Sequence, residues 1–327
     1  MTSHARWMLP AGLGLALLIV LVLSLGMGAV AIPPRQVIEA LMARLGGAAT
    51  ITKQMTIIWD LRLARALLAM VIGGGLAAAG AAYQALFRNP LADPFVIGAS
   101  GGAALGATLA ITLGLSAVMP AAFVGALAAV VLVYSLAQAG GRPTAVNLLL
   151  AGAALSTLLS AAVSLLMVLN DRDLHEVFTW LMGGFSGRSW PHLQVAAPIV
   201  ILGLATLWAL ARPLDALTLG EDSASSLGLN LAWARTIIVG AATLATAAAV
   251  ASGGIIGFIG LLAPHMARRL DGGAHGRLIP LSALIGALLL LLADDLARTV
   301  VAPVELPVGI LTALLGAPFF LWLLKRG

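Results

Sequence analysis

Cysteine is absent from this 327-residue sequence, and charged side chains are scarce. The missing thiols exclude disulfides, cysteine nucleophiles and thiolate metal sites. Charged residues make up only 9% of the chain, whereas a soluble domain carries about 25%. Hydrophobic residues make up 61% and the mean hydropathy is +1.06. This composition excludes a water-soluble enzyme and indicates a polytopic membrane protein.

The sequence contains no phosphate-binding loop. The glycine-rich stretch 73–80 lacks the Lys-Ser/Thr pair that such a loop needs after its last glycine, because Ala81 and Ala82 stand there. The chain therefore has no ATPase motif, and its energy must come from an ion gradient or from a partner. The formal net charge of +5 is spread along the chain, and the absence of a basic block excludes a nucleic-acid partner.

Uncharged stretches separated by polar breaks predict an all-α protein with about nine or ten membrane spans. Residues 236–267 leave the count open, because Ser252-Gly253-Gly254 either interrupts one tilted span or separates two. The distribution of lysine and arginine favours about ten spans with both termini in the cytoplasm. The other predicted spans are 8–32, 66–87, two within 95–141 that turn near 114–120, 144–169, 190–211, 278–293 and 306–324. Two polar loops are predicted outside, 33–60 at the membrane surface and 170–188.

Acidic and basic residues are almost absent from the predicted spans, although ion-driven carriers usually place them there. Asp294, Asp295 and Arg298 lie together at a span end, where a local salt bridge is expected. This pattern weakens a gradient-driven carrier or passive channel, which remains the alternative of a different class, and favours a partner that hydrolyses ATP. No nucleophile–base pair or metal-ligand pair is evident in the spans, so an intramembrane hydrolase is not expected.

Three blocks of sequence, at 62–102, 257–269 and 294–319, carry a resemblance to a known family. The first contains Arg62-Leu-Ala-Arg65 and Arg88-Asn-Pro-Leu-Ala-Asp-Pro94; the second ends in Pro-His-Met-Ala-Arg-Arg269. In this order the blocks resemble the iron-chelate and cobalamin permease family (FecCD type), the membrane subunit of type II ATP-binding-cassette (ABC) importers. The matching motif residues are Arg88, Asn89, Pro90, Asp93, Pro94, Pro264, His265, Arg268, Glu305 and Pro307.

The resemblance implies a single permease domain over 1–327 with about ten spans, in the bacterial inner membrane. It also implies a homodimer, two cytoplasmic ATP-binding subunits that hold ATP and Mg²⁺, and a periplasmic substrate-binding protein. No cofactor or metal is expected on this chain. The scarcity of charge in the spans favours haem as the cargo, with a ferric siderophore or cobalamin as alternatives.

Residues 213–230 resemble the cytoplasmic coupling helices that dock on the ATPase. Gly220 breaks the chain, and two acids follow in the first turn of a new helix, where the helix dipole favours negative charge. Leucines at 217, 219, 227 and 229 offer apolar contacts to the ATPase; a solvated loop folded on the bundle is the alternative. The expected coupling residues are Leu217, Gly220, Glu221, Asp222, Ser223, Ala224, Leu227 and Gly228.

Arginines on the outer side match the family positions that pair with acids of the binding protein. Arg62, Arg65 and Arg298 are these docking residues; headgroup anchoring or local pairing with Asp60 and Asp295 is the alternative. The family also implies an inner gate at Gly141, Arg142, Pro143 and Thr144, although a plain turn is equally compatible. His265 is expected to have a structural role, and His175 in the outer loop is the histidine placed to meet an incoming haem.

Overall fold

The computed structural model describes residues 3–28, 31–46, 52–139 and 144–324. Regular secondary structure in these residues is helical throughout, as a bilayer demands of backbone groups that find no partner in lipid. The first half contains α1 (Ser3–Gly26), α2 (Pro34–Leu45), α3 (Lys53–Thr56), a π-helical segment (Ile57–Leu63), α4 (Ala64–Leu86), α5 (Ala99–Thr112), α6 (Val118–Ala139) and α7 (Ala145–Leu169). The second half contains a 3₁₀ turn (Asp171–Asp173), α8 (Leu174–Leu181), α9 (Trp190–Ala209), α10 (Ala211–Thr218), α11 (Glu221–Ser226), α12 (Leu231–Gly253), α13 (Ile259–Asp271), α14 (His275–Thr299) and α15 (Val308–Leu324).

The prediction of an all-α bundle with about ten spans is confirmed. Among the described residues, seven helical stretches are long and apolar enough to cross a membrane; they contain α1, α4, α6, α7, α9, α12 and α14. The apolar helices α5 and α15 are shorter, and α13 is a further short helix. Residues 236–267, for which one span or two had been left open, contain two helices: α12 ends at Gly253 and α13 begins at Ile259.

Several predicted boundaries are wrong. The first helix ends at Gly26 instead of residue 32, since Pro34 starts α2 and the chain turns back so closely that a Cβ at Gly26 would lie 2.6 Å from the Ile32 carbonyl oxygen. Residues 53–60, expected in a surface loop, are helical and continue through residue 63 into α4. The ninth span extends to Thr299 and therefore contains Arg298. The second outer loop holds the unpredicted helix α8.

Helix α4 forms the centre of the bundle and packs against α9, α12, α13 and α14. Small residues make this possible, because lipid provides no hydrophobic force between helices and packing must be close. A Cβ at Gly73 would overlap the carbonyl oxygen of Gly286 on α14, and one at Gly80 would overlap that of Gly260 on α13. The glycines predicted to pack the bundle therefore set the distances between its central helices.

Contacts between helix ends define two faces of the bundle. The end of α4, α10, the end of α13 and the start of α14 come together at one face, which we term the inner face. The start of α4, α8, the end of α12, the end of α14 and the start of α15 meet at the opposite face, which we term the outer face. The predicted site residues collect at both faces.

Candidate functional site

A buried charge cluster joins four segments at the outer face. Arg65 on α4 donates from Nε and Nη2 to the carboxylate of Asp294 on α14, at 3.0 and 2.8 Å. Its Nη1 donates to Glu305, before α15, at 2.8 Å. Asp294 is fully buried, whereas 38% of the Glu305 side chain is exposed. The cluster stabilises each buried charge by a partner of opposite sign, which burial requires.

Two further arginines hold the end of α1 in the same cluster. Arg62 Nη1 donates to the Leu25 carbonyl oxygen at 2.8 Å. Arg298 pairs with Asp295, and its Nη2 donates to the Ser24 hydroxyl oxygen at 2.9 Å. Ser24 in turn donates to Asp295 at 2.6 Å.

These contacts show that the three predicted docking arginines are buried. Arg62, Arg65 and Arg298 are only 9%, 9% and 6% exposed, because each turns inward to carbonyl or carboxylate oxygens. Local pairing with Asp295, the alternative for Arg298, is present. The docking role of the three arginines stays a prediction.

An open cavity of about 500 Å³ lies beside this cluster. Arg65 and Glu305 of the cluster form part of its wall, together with side chains of α8 and of the loop that follows α8. Burial lowers the pKa of Arg188 from its ordinary value, and its Nη1 lies 3.1 Å from His192 Nε2. The polar lining residues are Arg65, His175, Glu176, Thr179, Ser186, Arg188 and Glu305. Pro307, at the start of α15, also lines it.

The predicted coupling segment forms two short helices at the inner face. Gly220 has a φ of +107°, a conformation that suits glycine, and it separates α10 from α11 as predicted. Glu221 and Asp222 occupy the first turn of α11. Glu221 pairs with Arg235 of α12, which ties α11 to the bundle. Ser223 contributes the carbonyl oxygen that receives the amide of Leu227 at 3.1 Å, and Gly228 has a φ of +83° after the helix.

The leucines of this segment point in two directions. Leu219 and Leu227 are 68% and 69% exposed, as an apolar docking surface requires. Leu217 is buried within the bundle, so its predicted contact with a partner is wrong; α10 needs it to pack against the chain. Ala224 is also buried, and its amide donates to the Gly220 carbonyl oxygen at 2.9 Å.

Motif residues from two distant blocks meet at the inner face. A cavity of about 510 Å³ is lined there by Arg88, Asn89 and Pro90 of the first block and by His265 and Arg268 of the second. Arg268 Nη1 donates to Gln84 Oε1 at 2.6 Å, and Gln84 Nε2 donates to the Gly260 carbonyl oxygen at 3.1 Å.

The remaining motif residues shape the turn between α4 and α5. Asp93 accepts a hydrogen bond from the Phe95 amide at 2.9 Å, and burial raises its pKa to about 6. Pro94 packs on Gly260, and Pro264 lies buried inside α13. These motif residues therefore hold the turn between α4 and α5 against α13.

The predicted inner gate falls mostly outside the described residues: Gly141, Arg142 and Pro143 are among those not described. Thr144 caps α7, because its hydroxyl oxygen accepts the Asn147 amide at 3.2 Å. His175 lies on α8 and lines the outer cavity. His265 lines the inner cavity.

The comparisons with known proteins match this architecture. A profile of the FecCD transport family matches residues 16–326. The chain belongs to the FecCD transport family. Its members are membrane permease subunits of type II ABC importers, so the chain is a multi-pass permease that works with ATP-binding subunits and a substrate-binding protein.

Relatives in this family carry different cargo names. The chain is 44% identical to the cobalamin import system permease protein BtuC of Halobacterium salinarum, over 82% of this chain and 73% of that protein. It is 43% identical to the hemin transport system permease protein HmuU of Yersinia pestis, over 82% and 83%. A solved inward-facing structure assigned to the metal-chelate type of ABC transporter superposes with a TM-score of 0.86 at 34% identity, covering 97% of this chain and 99% of that one.

Some functional residues were missed by sequence reasoning. Gln84 lies within the first motif block but was not among the predicted site residues, and it bridges α4 to α13. His275 Nδ1 lies 2.6 Å from Asp215, which joins the start of α14 to α10. The Gln84–Arg268 and Asp215–His275 contacts leave no signal in the sequence, because the partners lie 184 and 60 residues apart. Arg269 was also missed as a lining residue of the inner cavity. Its position directly after the predicted motif residue Arg268 is the sequence signal that could have identified it.

Proposed function

We propose that the chain acts as one permease domain in a homodimer and imports haem from the periplasm to the cytoplasm. Two cytoplasmic ATP-binding subunits supply the energy, and a periplasmic binding protein delivers the cargo. In this arrangement the inner face is cytoplasmic and both termini lie in the cytoplasm of a bacterial inner membrane. ATP and Mg²⁺ are held by the partner subunits.

The α10–Gly220–α11 unit is the observation that carries the proposal of ATP-driven transport. It offers two exposed leucines, Leu219 and Leu227, beside acidic residues at the start of α11. Its Glu221–Arg235 pair and the His275–Asp215 pair connect the unit to α12 and α14. A force applied to these helices by an ATPase therefore reaches the spanning helices directly.

The outer cavity supports haem as the cargo. Haem carries two carboxylates and an iron atom that imidazole nitrogens can ligate. Arg188, which makes no ion pair with a described residue, and His175 line the cavity and offer a positive charge and an imidazole ring. The uncharged surfaces of α5 and α7 suit the passage of a flat, apolar ring system. Cobalamin is the second candidate, because a relative at 44% identity is named as a cobalamin permease.

Docking of the binding protein is proposed at the outer charge cluster. Among the three predicted arginines, Arg65 has a partner, Glu305, that is partly open to solvent. A carboxylate of the binding protein can replace Glu305 there. Charge pairs of this kind at the edge of an interface affect the orientation of the docked protein and its association rate more than its affinity.

Uptake by proteoliposomes tests the function. The vesicles contain the permease and its ATPase subunits, and the loaded binding protein is added outside with haemin, cyanocobalamin or ferric citrate in separate arms. We expect ATP-dependent accumulation of haemin, lost when the Walker A lysine of the ATPase is replaced. Accumulation of cyanocobalamin or ferric citrate alone would contradict haem as cargo. Uptake driven by an ion gradient without the ATPase would contradict ATP-driven import.

A further inference from the structure

We propose that the inner cavity is a binding site for a phosphate-bearing anion. The cavity is formed by the end of α4 and the turn after it, the last residue of α10, the end of α13 and the start of α14. It has about 510 Å³ of open volume, which suits a phosphate group with a substituent. This site goes beyond the transport function proposed above.

Three arginines without an acidic partner line this cavity. Arg88 and Arg269 make no ion pair with any described residue, and Arg268 donates only to the neutral amide of Gln84. No carboxylate is among the cavity's described lining residues. Like charges gathered in a confined space repel one another and concentrate a positive potential. An anion in the cavity would relieve that repulsion.

Two acids on the helices that form the cavity, Asp215 of α10 and Asp271 of α13, already have partners. Asp215 accepts from the backbone amide and Nδ1 of His275, at 2.9 and 2.6 Å. Asp271 pairs with Arg277 at 3.1 Å. By contrast, Nε2 of His265 is buried without a hydrogen-bond partner among the described residues, and the ring lines the cavity. The cavity thus gathers three arginines that pair with no carboxylate of the described residues, together with a histidine nitrogen that has no hydrogen-bond partner there.

The backbone at Arg88 is held in a strained conformation. Arg88 has a φ of +48° at the end of α4, where the Asn89 amide donates to the Gln84 carbonyl oxygen at 3.1 Å. Glycine is the usual residue at this position of a helix end, because a side chain there is disfavoured. Strain of this kind is typical of functional positions. The strained backbone at Arg88 holds a side chain that lines the cavity.

Phosphate is the anion that best matches the donors. Guanidinium groups present planar pairs of N–H donors that bind two oxygens at once, and several of them can share a tetrahedral oxyanion. Basic pockets at the cytoplasmic side of spanning helices bind the headgroups of anionic lipids, and the cytoplasm also contains free phosphate. A lipid headgroup and free phosphate offer the same chemistry to the cavity.

Binding to the full-length chain tests the site. Thermal unfolding in detergent is followed with inorganic phosphate and, at matched ionic strength, with chloride. In nanodiscs, lipids retained by the chain are counted by native mass spectrometry, with phosphatidylcholine alone or with added phosphatidylglycerol. We expect a rise in melting temperature with phosphate, retention of phosphatidylglycerol, or both. Phosphate alone identifies a free anion, and phosphatidylglycerol alone identifies a lipid headgroup.

Variants separate a site from general charge effects. Arg269→Gln should weaken binding about tenfold, because it removes a charged hydrogen-bond donor. Arg212→Gln, an exposed arginine of α10 outside the cavity, is the matched control and should bind as the parent does. Arg88→Gly should raise the melting temperature without phosphate and lose the response to it. Equal losses in Arg269→Gln and Arg212→Gln, or no response of the parent chain to either probe, would overturn the proposal.

Discussion

Arg65 and Asp294 form a two-point ion pair across α4 and α14, with the arginine's Nε and Nη2 at 3.0 and 2.8 Å from the carboxylate. The pair is buried, and Arg298 approaches Asp294 at 3.4 Å from the other side. Two buried arginines, one on α4 and one on α14, therefore contact the same carboxylate. Helices α4 and α14 cannot separate there without breaking both hydrogen bonds of the Arg65–Asp294 pair and leaving Arg65 with Glu305 alone.

Removing one member of this pair should destabilise the protein severely. Asp294→Ala removes the buried carboxylate that contacts Arg65 and Arg298 and leaves each arginine with a single acid, Glu305 or Asp295, which should cost about 3 kcal/mol. Arg35→Gln at the exposed Arg35–Glu39 pair is the control and should change stability by less than about 1 kcal/mol. Thermal unfolding in detergent, followed by tryptophan fluorescence, measures both. Equal stability of Asp294→Ala and the parent would show that the pair does not hold the helices together.

Replacement of glycine by alanine should have opposite effects on stability at Gly73, which contacts Gly286, and at Gly240, which has open space. A methyl group at Gly73 would meet the Gly286 carbonyl oxygen and the Leu290 side chain, so Gly73→Ala should cost about 1–3 kcal/mol. Gly240→Ala lies inside α12 with no atom within 4 Å of its added methyl. It should be stabilising by up to about 1 kcal/mol through helix propensity. The same unfolding assay compares them, and a loss at Gly240→Ala as large as at Gly73→Ala would contradict this packing.

The spanning helices were predictable because the bilayer leaves apolar stretches few other structures. Gly220 was predictable as a break, since a glycine there precedes two acids that suit a helix start. The charge cluster was not predictable, because Arg65 and Asp294 are 229 residues apart and their meeting depends on how α4 and α14 pack. Helix α8 was missed because eight residues between polar neighbours give too short a pattern. The burial of Leu217 also results from helix packing and could not be predicted from the local sequence.

Charge at the exposed leucines should uncouple ATP hydrolysis from transport. Leu219→Asp and Leu227→Asp place a carboxylate on the apolar surface that the ATPase is proposed to cover. We expect at least about tenfold lower uptake with ATP hydrolysis retained, because a desolvated charge at an interface costs several kcal/mol. Leu270→Asp, 46% exposed on α13, is the control. Uptake and ATP hydrolysis are measured on the same vesicles.

A second variant tests the shape of α11 instead of its surface. Ala224→Pro removes the amide that donates to the Gly220 carbonyl oxygen, and it should also uncouple. Normal uptake in Ala224→Pro and in both leucine variants would exclude this segment as the ATPase contact.

Protonation of Asp93 predicts a pH dependence of stability. Its pKa is raised to about 6 in the folded protein, and in the unfolded chain it is about 4. The folded state therefore binds more protons between these values, so stability falls as pH rises from about 4 to about 6 and stays lower above that. Asp93→Asn keeps an acceptor for the Phe95 amide and removes the charge. It should be more stable than the parent at pH 7.5 by on the order of 2 kcal/mol, with the difference absent near pH 4. A constant difference across this range would refute the raised pKa.

Exchange of partners at Arg65 predicts that loss of Glu305 strengthens docking of the binding protein. Glu305→Gln removes the charge that competes with a carboxylate of the binding protein, while Asp294 still holds the arginine in place. The association rate should rise severalfold at low salt and less at high salt, because screening weakens steering. Glu39→Gln removes an equal charge from exposed α2 and is the control. Surface plasmon resonance on the nanodisc-embedded permease gives both rates, and equal gains in the two variants would attribute the effect to net charge and exclude Arg65 as the docking residue.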